Sequence, residues 1–228
     1  MKTKKMSSKL IAIVGPTGSG KSTSIKNLDP KETYIINVAR KELPFKGSTN
    51  LYNEENKNYA EIDDALTIVK YLQSISAKAP HIKHVVLEDS NYIMGFNMVK
   101  KATETGFTKF SVMAKDMVTL LTEARKLRDD LKIFYFSHPE EIMDDGSIVS
   151  YKMKTAGKLL DNQIVLEGLF TVALYTHVDE DNSGNTTYEF VTNRWKKYPA
   201  KSPEGMFPQT RIPNDLKSVC NYIDEYYS

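Results

Sequence analysis

The amino-acid sequence predicts an α/β fold in which a mostly parallel sheet is flanked by helices. The first observation is that residues 11–138 alternate short β-branched or aromatic runs with longer segments of helical spacing, in the order β-α-β-α-β-α-β. Such alternation is typical of parallel sheets with helices on both faces. The second observation is that glycine, acidic or histidine residues directly follow three of these strands. They fall at the edge where such sheets bind ligands.

The first strand, residues 11–14 with the sequence IAIV, leads into a glycine-rich loop. The sequence GPTGSGKS matches the phosphate-binding P-loop pattern G-x-x-x-x-G-K-S/T at every fixed position. Its glycines let the backbone curl, so that its N–H groups and those of a helix expected to begin near Lys21 surround an anion. The predicted nucleotide-binding residues are Gly15, Pro16, Thr17, Gly18, Ser19, Gly20, Lys21, Ser22 and Thr23.

Two residues of this loop have predicted chemical roles. Lys21 is a catalytic residue that reaches the β- and γ-phosphates, and the Ser22 hydroxyl holds Mg²⁺. The alternative is a plain strand-to-helix turn with a solvated lysine. Because a loop lysine is expected to be exposed, we expect Lys21→Ala to remove ATP binding and leave the fold intact.

Two more strands are predicted downstream. The segment TYIINV, residues 33–38, is the second strand, and a long connection without a sustained period follows it. Residues 59–78 have apolar residues at helical spacing and predict an amphipathic helix. The apolar run at residues 85–87 predicts a buried strand that ends abruptly in Glu88 and Asp89.

Glu88 and Asp89 stand where a Walker B motif is expected, and both are candidate catalytic residues. One carboxylate of such a pair holds Mg²⁺, and a second orients or deprotonates the attacking water. We assign Asp89 to the metal and Glu88 to the water, with the reverse as the alternative. Glu42, just past the second strand, is a rival base, or else a solvated loop acid. An acidic strand end without a chemical role is the remaining alternative.

His138 is the last candidate catalytic residue of the predicted sheet. Residues 110–128 predict a helix, and LKIFYFSH, residues 131–138, predicts a strand beside the glycine-rich loop. At the end of that strand His138 can sense the γ-phosphate or position water. A structural hydrogen-bonding role is the alternative, since Pro139 fixes the direction of the loop that follows.

The last third of the chain predicts a β-hairpin and a terminal helix. Residues 168–178 and 187–195 are the hairpin strands, joined by a turn rich in Asp, Asn and Gly. Asn214 is the predicted N-cap of the terminal helix. Because no repeat or low-complexity tract marks a linker, we expect a single domain over residues 1–228.

Composition limits the function classes only broadly. The 31 basic and 29 acidic residues give a net charge of +2, which neither requires nor excludes a nucleic-acid partner. No run approaches the roughly 18 apolar residues of a membrane span, so we expect no membrane partner and a cytoplasmic location. The lone Cys220 excludes an internal disulfide framework, and its helical spacing predicts a core position.

Six segments carry a resemblance to a known family, in the same order across nearly all of residues 9–228. They are GPTGSGKST, YIINVARKELPFKG, VVLEDSNYIM, FYFSH, KTAGKLLDNQIVLEGLFTVAL, and AKSPEGMF followed by IPNDL. On these segments the chain resembles the RecA-like ATP-binding proteins of bacteriophages, including their single-strand annealing group. One departure is that the acid pair of this group is Asp-Asp, whereas this chain has Glu88-Asp89.

The resemblance implies a RecA-like P-loop NTPase with an additional strand in its core and Mg-ATP, that is ATP with Mg²⁺, as its cofactor. It also implies a homo-oligomeric ring or filament that works on single-stranded DNA, in the host cytoplasm if the protein is phage-encoded. The leading hypothesis is therefore an ATPase that promotes annealing or strand exchange. The alternatives are a small-molecule nucleotide kinase and a nucleotide-gated DNA-binding or scaffolding module with negligible hydrolysis. The kinase would need an arginine-rich lid, and only Arg125 and Arg128 are close together in the sequence.

Two groups of residues are candidates for contacts with a neighbouring subunit or with DNA. Lys154, Lys158 and Arg194 follow the core strands, where oligomeric ATPases place a cation against a neighbour's γ-phosphate, with solvated side chains as the alternative. A second group can stack bases and neutralise phosphates, unless it is an ordinary helix pair with core aromatics. This group consists of Phe96, Phe107, Phe110, Lys100, Lys101 and Lys109.

Overall fold

A computed structural model describes residues 7–155 and 165–228 of the chain. Most of its strands belong to one sheet, and a short hairpin stands apart from it. The strands are β1 (Lys9–Val14), β2 (Thr33–Asn37), β3 (Tyr59–Ala60), β4 (His84–Glu88), β5 (Lys132–Ser137), β6 (Pro139–Asp144), β7 (Ser147–Met153), β8 (Val172–Glu180), β9 (Thr186–Val191) and β10 (Arg211–Pro213).

Within the described residues the main sheet has eight strands, in the order β10-β9-β8-β1-β5-β4-β2-β3. The neighbours from β8 to β3 pair in parallel, whereas β9 and β10 are antiparallel additions at one side. β5 lies between β1 and β4. Since these three strands run in the same direction, their carboxyl ends meet at one edge of the sheet.

Helices cover both faces of this sheet. The α-helices are α1 (Ser48–Leu51), α2 (Ala65–Lys78), α3 (Tyr92–Lys100), α4 (Thr108–Ala124) and α5 (Leu216–Tyr227). Two 3-10 helices span Ser22–Asn27 and Leu166–Leu169 in the described part of the chain. The helix expected after the glycine-rich loop is therefore a 3-10 helix of six residues. The loop amides, more than a long helix dipole, must supply any anion cradle there.

The core has two layers because successive residues of a strand point to opposite faces. In β1, Leu10 and Ala12 pack in the layer that contains the apolar faces of α2 and α4. Ile11 and Ile13 pack in the layer that contains α5. Burial on both faces explains why β1 is an unbroken apolar run.

The predicted α/β class and mostly parallel sheet are confirmed. The predicted hairpin is confirmed as β8 and β9, although β8 also pairs with β1 and so joins the main sheet. The terminal helix is confirmed as α5, in which Cys220 is buried as predicted.

The prediction of one helix over residues 59–78 is wrong at its start. Tyr59 and Ala60 form β3 and pair with β2, because an extended segment can complete the sheet edge there. Helix α2 begins at Ala65, where the side chain of Asp64 accepts a hydrogen bond of 2.8 Å from the amide of Thr67. That cap fixes the helix start five residues after the sheet contact.

The prediction of Asn214 as an N-cap is also wrong. Asp215 caps α5, since its carboxylate accepts from the amide of Ser218 at 3.2 Å. The side chain of Asn214 turns the other way, and its Nδ2 donates to the carbonyl of Ser19 in the glycine-rich loop at 3.2 Å. Asn and Asp are about equally good caps, so the tertiary contact of Asn214 with the loop accompanies the choice of Asp215.

The β6–β7 hairpin was not predicted from the sequence. Its two-residue turn consists of Asp145 and Gly146, with φ angles of +44° and +75°. Positive φ at both central residues is typical of the turn that Asp-Gly pairs form between antiparallel strands. That dipeptide was the signal in the sequence that identifies the hairpin.

Candidate functional site

A cleft of about 430 Å³ opens where the carboxyl ends of β1, β4 and β5 meet. This volume is within the usual range of small-molecule sites. Residues 16–23 of the glycine-rich loop form its floor. The other lining residues are Lys26, Lys41, Glu42, Pro44, Asp89, His138, Tyr188 and Asn214. The cleft thus brings together the loop, Asp89 and His138, as the parallel-sheet prediction required.

Two glycines let the loop lie close to its surroundings. A Cβ atom on Gly15 would overlap Oγ1 of Thr176 and lie 2.6 Å from Oγ of Ser19. Gly20 has a φ of +86°, and a Cβ there would lie 2.9 Å from Nδ2 of Asn214. Neither position has room for a side chain, so the backbone itself lines the cleft.

Lys21 lies inside the loop rather than in solvent. Only 6% of its surface is exposed, so the expectation of an exposed lysine is wrong. Its ammonium donates to the carbonyl oxygens of Gly15 at 2.5 Å and Pro16 at 3.1 Å. Burial lowers the pKa of Lys21 to about 8, although the charges of Glu88 and Asp89 oppose this shift. The loop therefore encloses a cation that a bound anion would stabilise.

Glu88 is fully buried at the end of β4 and meets the loop through Ser22. The hydroxyl of Ser22 donates to Oε1 of Glu88, whereas the buried Oε2 of Glu88 has no hydrogen-bond partner among the residues that the structure describes. Burial, followed by the charge of Asp89, raises the pKa of Glu88 to about 7. A buried carboxylate oxygen without a partner is rare in native proteins, and a catalytic role or a bound water or ion is among the explanations for it.

Asp89 is also buried, and its backbone is in the left-handed region with a φ of +56°. Its carboxylate forms an ion pair with the ammonium of Lys41, and its Oδ1 lies 3.7 Å from Nε2 of His138. A non-glycine residue rarely adopts this backbone conformation, which costs on the order of 1–3 kcal/mol. The carboxylate carried by this residue lines the cleft.

His138 directly follows β5, which pairs with β1 as predicted. Its ring makes an edge contact with Tyr92, with 6.1 Å between ring centres. Burial, followed by the charge of Lys21, lowers the pKa of His138 below its ordinary value. The imidazole is therefore neutral near pH 7, with one nitrogen able to donate and one able to accept.

Five lining residues were not predicted for the site from the sequence, namely Lys26, Lys41, Pro44, Tyr188 and Asn214. Lys41 follows β2 in a loop without periodicity, and nothing in the sequence marks its side chain as turned into the cleft. Tyr188 and Asn214 lie beside Gly20 of the glycine-rich loop. The backbone N–H of Asn214 donates a hydrogen bond of 3.1 Å to the carbonyl of Tyr188, which holds these two residues together.

The other candidate residues of the sequence are dispersed. Glu42 lines the cleft. Lys154 lines an adjoining hollow of about 570 Å³, and its amide donates to the carbonyl of His138 at 2.9 Å. Arg194 is exposed and is not among the described residues that line either space. Lys158 lies outside the described residues.

The group of aromatic and basic residues predicted to contact DNA lies on α3, on α4 and in the connection between them. Part of this group makes contacts within the chain. Phe96 packs against the core, whereas Phe107 is 87% exposed. Lys100 forms an ion pair of 2.7 Å with Asp63, and Lys109 donates to two carbonyl groups of the α3–α4 connection. Phe107 is thus the member of this group that is most open to a partner.

The chain matches no protein-family model, and no curated protein is significantly similar to it. Over residues 7–155 and 165–228, no helix has both the length and the apolar character needed to cross a bilayer. In that same part of the chain, no three or more His, Cys, Asp or Glu side chains gather as a metal cluster would. The residues of the cleft are therefore the basis for assigning a function.

Proposed function

We propose that this chain is a RecA-like, magnesium-dependent ATPase. The observation that carries the proposal is the hydrogen bond between Ser22 and the buried Glu88, at the mouth of a loop that encloses Lys21. A phosphate-binding loop needs an enclosed lysine followed by a hydroxyl residue, here Lys21 and Ser22. The carboxylate of Glu88 lies against that hydroxyl. The position of β5 between β1 and β4 supports the additional-strand core that the resemblance implies.

The residues present fit Mg²⁺. This ion prefers oxygen ligands and takes only one or two from the protein, the rest coming from substrate phosphates and water. Ser22 and Glu88 would hold it, and the unpartnered Oε2 of Glu88 is the acceptor that a metal-bound shell would satisfy. When bound, Mg²⁺ offsets the charge of the phosphate oxygens. This exchanges the two roles predicted from the sequence, which gave the metal to Asp89.

Asp89 is then the residue that orients the attacking water. The water oxygen attacks the γ-phosphorus, the bond to the β–γ bridging oxygen breaks, and ADP and inorganic phosphate leave. His138 is neutral and lies 3.7 Å from Asp89, so it can hydrogen-bond to the same water or to a γ-phosphate oxygen. Glu42 lines the same cleft and remains the rival base.

Tyr188 and Asn214 are the candidate contacts for the nucleoside. Tyr188 is 44% exposed and offers a ring face on which a base can stack. The side-chain amide of Asn214 donates a hydrogen bond to the carbonyl of Ser19 in the loop, which fixes this amide beside that ring. A nucleotide laid along the loop would place its phosphates at Lys21 and its base at Tyr188.

Single-stranded DNA and a homo-oligomer are the finer parts of this proposal and depend on the family resemblance. The exposed Phe107 supports a stacking contact with bases, and Lys101, in the same α3–α4 connection, can meet a phosphate. Lys154 lies near its own chain's His138, and a trans role for it stays part of the proposal.

The two alternatives differ in what they require of the cleft. A nucleotide kinase grips two nucleotides with arginines, and none of the described residues that line the cleft is an arginine. A nucleotide-gated binding module needs the same cradle but no water-orienting residue. The buried and strained Asp89 favours hydrolysis over mere gating.

The test is ATP turnover with and without single-stranded DNA, in the wild type, Lys21→Ala and the exposed-lysine control Lys31→Ala. We expect turnover that DNA stimulates, that Lys21→Ala abolishes and that Lys31→Ala retains. Turnover without any response to DNA would support the ATPase and reject the DNA partner. Binding of ATP without turnover would favour the gated module, and phosphate transfer to a nucleotide acceptor would favour the kinase.

A further inference from the structure

Lys41 lies in a loop that the structure holds in one place. The side chain of Asn37 is completely buried, and its Nδ2 donates to the carbonyl of Lys41 at 2.6 Å and to the hydroxyl of Tyr59 at 2.9 Å. Its Oδ1 accepts from the amide of Arg40 at 3.0 Å. One buried amide thus fixes the backbone on both sides of the Lys41 side chain.

The side chain of Lys41 extends from this fixed backbone into the cleft. Its ammonium pairs with the buried carboxylate of Asp89, while about half of the side chain stays exposed. Burial alone would lower the pKa of Lys41, but the hydrogen bond to Asp89 and the charges of Asp89 and Glu88 outweigh it and raise the pKa. The cleft therefore holds a second ammonium, and its flexible stem leaves it free to move.

Backbone strain lies on both sides of this ion pair. Arg40, next to Lys41, has a φ of +57°, and Asp89 has a φ of +56°. Neither residue is glycine, so both conformations are costly and need support from their surroundings. Such residues cluster at ligand clamps, and here both position the two partners of one contact.

We propose that Lys41 is a terminal-phosphate sensor: it binds the γ-phosphate of a nucleoside triphosphate held in the same chain, and pairs with Asp89 when that phosphate is absent. The inference rests on the proposed function. A γ-phosphate at the loop would lie near both Lys21 and Asp89, and its charge competes with Asp89 for the Lys41 ammonium. ADP lacks this group, so Lys41 stays on Asp89.

The exchange of partners links recognition to chemistry. When the ammonium moves to the γ-phosphate, a carboxylate oxygen of Asp89 loses its partner and can accept a hydrogen bond from water. The water-orienting residue is thus released when a triphosphate, and not a diphosphate, occupies the loop. This assigns Lys41 a role from within the chain that Lys154, Lys158 and Arg194 were predicted to supply from a neighbour.

The experiment measures the affinity of the full chain for Mg-ADP and for a non-hydrolysable Mg-ATP analogue. Lys41→Ala should weaken the triphosphate analogue about tenfold or more and change ADP affinity less than about twofold, because a charge-assisted bond is lost only with the former. Lys41→Arg should keep most of the preference. Lys46→Ala, an exposed lysine of the same loop, should change neither affinity. Thermal melts of each variant establish that it is folded.

Equal weakening of both ligands, or of neither, by the folded Lys41→Ala variant would overturn the sensor role. A wild type that binds neither ligand would instead overturn the proposed function, and the inference with it. Mixing Lys41→Ala chains with Lys21→Ala chains tests whether Lys41 acts in its own chain. The Lys21→Ala chains cannot hold nucleotide themselves, but as neighbours they would offer an intact Lys41 to the clefts of the Lys41→Ala chains. Affinity for the triphosphate analogue that stays at the value of Lys41→Ala alone supports the same-chain role, and affinity restored toward the wild-type value shows that Lys41 acts on a neighbour.

Discussion

β4 and β5 carry polar residues at both ends, and the two ends differ in how these residues are satisfied. At the amino ends, His84 and Lys132 are paired in register and both are buried. Nδ1 of His84 lies 3.4 Å from Oγ1 of Thr33, and Nζ of Lys132 lies 2.6 Å from Oδ1 of Asp224. Both buried side chains at this amino edge therefore have a partner within the chain.

At the carboxyl edge, Glu88 and Asp89 are just as buried but less well satisfied. Within the described part of the chain one oxygen of Glu88 has no hydrogen-bond partner, and Asp89, which pairs with Lys41, has a strained backbone. Buried charge occurs at both edges, so burial alone does not mark a functional site. The features that distinguish the carboxyl edge are the unpaired oxygen of Glu88 and the positive φ of Asp89. A bound ligand would offset the energetic cost of both.

The largest expected effect comes from breaking the carboxyl edge. Glu88→Gln should reduce ATP turnover by at least about 100-fold and weaken the dependence of ATP affinity on Mg²⁺, because the charge that would face the metal in the proposed site is gone. Asp89→Asn should reduce turnover as strongly but keep Mg²⁺-dependent binding. The exposed Glu55→Gln is the matched control. The opposite pattern for the two acids would restore the assignment of Asp89 to the metal.

Residues at the amino edge should make the stability of the fold depend on pH, and they should not affect nucleotide binding. Burial, followed by the charges of Lys132 and Lys217, lowers the pKa of His84 to about 4. The unfolded chain, with an ordinary pKa near 6.5, takes up this proton first, so stability is complete above about pH 6.5 and falls until about pH 4. The integrated loss is roughly 3 kcal/mol.

Urea unfolding at pH 7 and pH 4.5 tests this, with His84→Gln against wild type and the exposed His81→Gln as control. The wild type and His81→Gln should lose more stability on acidification than His84→Gln does. An equal loss of unfolding free energy between pH 7 and pH 4.5 in all three proteins would show that His84 is not buried as a neutral group.

The smallest expected effect on stability tests the close packing of the loop. Gly15→Ala should cost about 1–3 kcal/mol, because its Cβ would overlap Thr176 and the strand cannot easily move. Gly95→Ala in α3, where a Cβ meets nothing within 4 Å, should be neutral or stabilising. Chemical denaturation of both variants is the measurement, and equal stabilities would contradict the packing described for Gly15.

The placement of the loop, the acids and His138 was predictable because parallel strands bring their carboxyl ends together. A local pattern was enough to locate each of these residues. The side chains of Lys41, Tyr188 and Asn214 were not predictable, since their positions depend on the paths of loops and on sheet pairing distant in sequence. The Asn37 network that directs Lys41, for example, involves Tyr59, which lies 22 residues further along the chain.

Two errors of the prediction have the same origin. Tyr59 has helical spacing with the residues after it, but pairing with β2 outweighs that local preference. Lys21 belongs to a polar loop, but the curled backbone encloses it, and its burial follows from the carbonyls of Gly15 and Pro16. Tertiary contacts decided both, and neither contact has a signature in the neighbouring sequence.

The central claim is that the carboxyl edge binds a magnesium nucleotide. Its most direct test is titration calorimetry of the full chain with ATP, in excess Mg²⁺ and in EDTA, for wild type and Lys21→Ala. The account predicts one ATP per chain in the wild type, affinity at least about tenfold weaker without Mg²⁺, and no measurable binding by Lys21→Ala. The claim would be contradicted by a wild type that does not bind ATP, or by a Lys21→Ala variant that binds it as tightly.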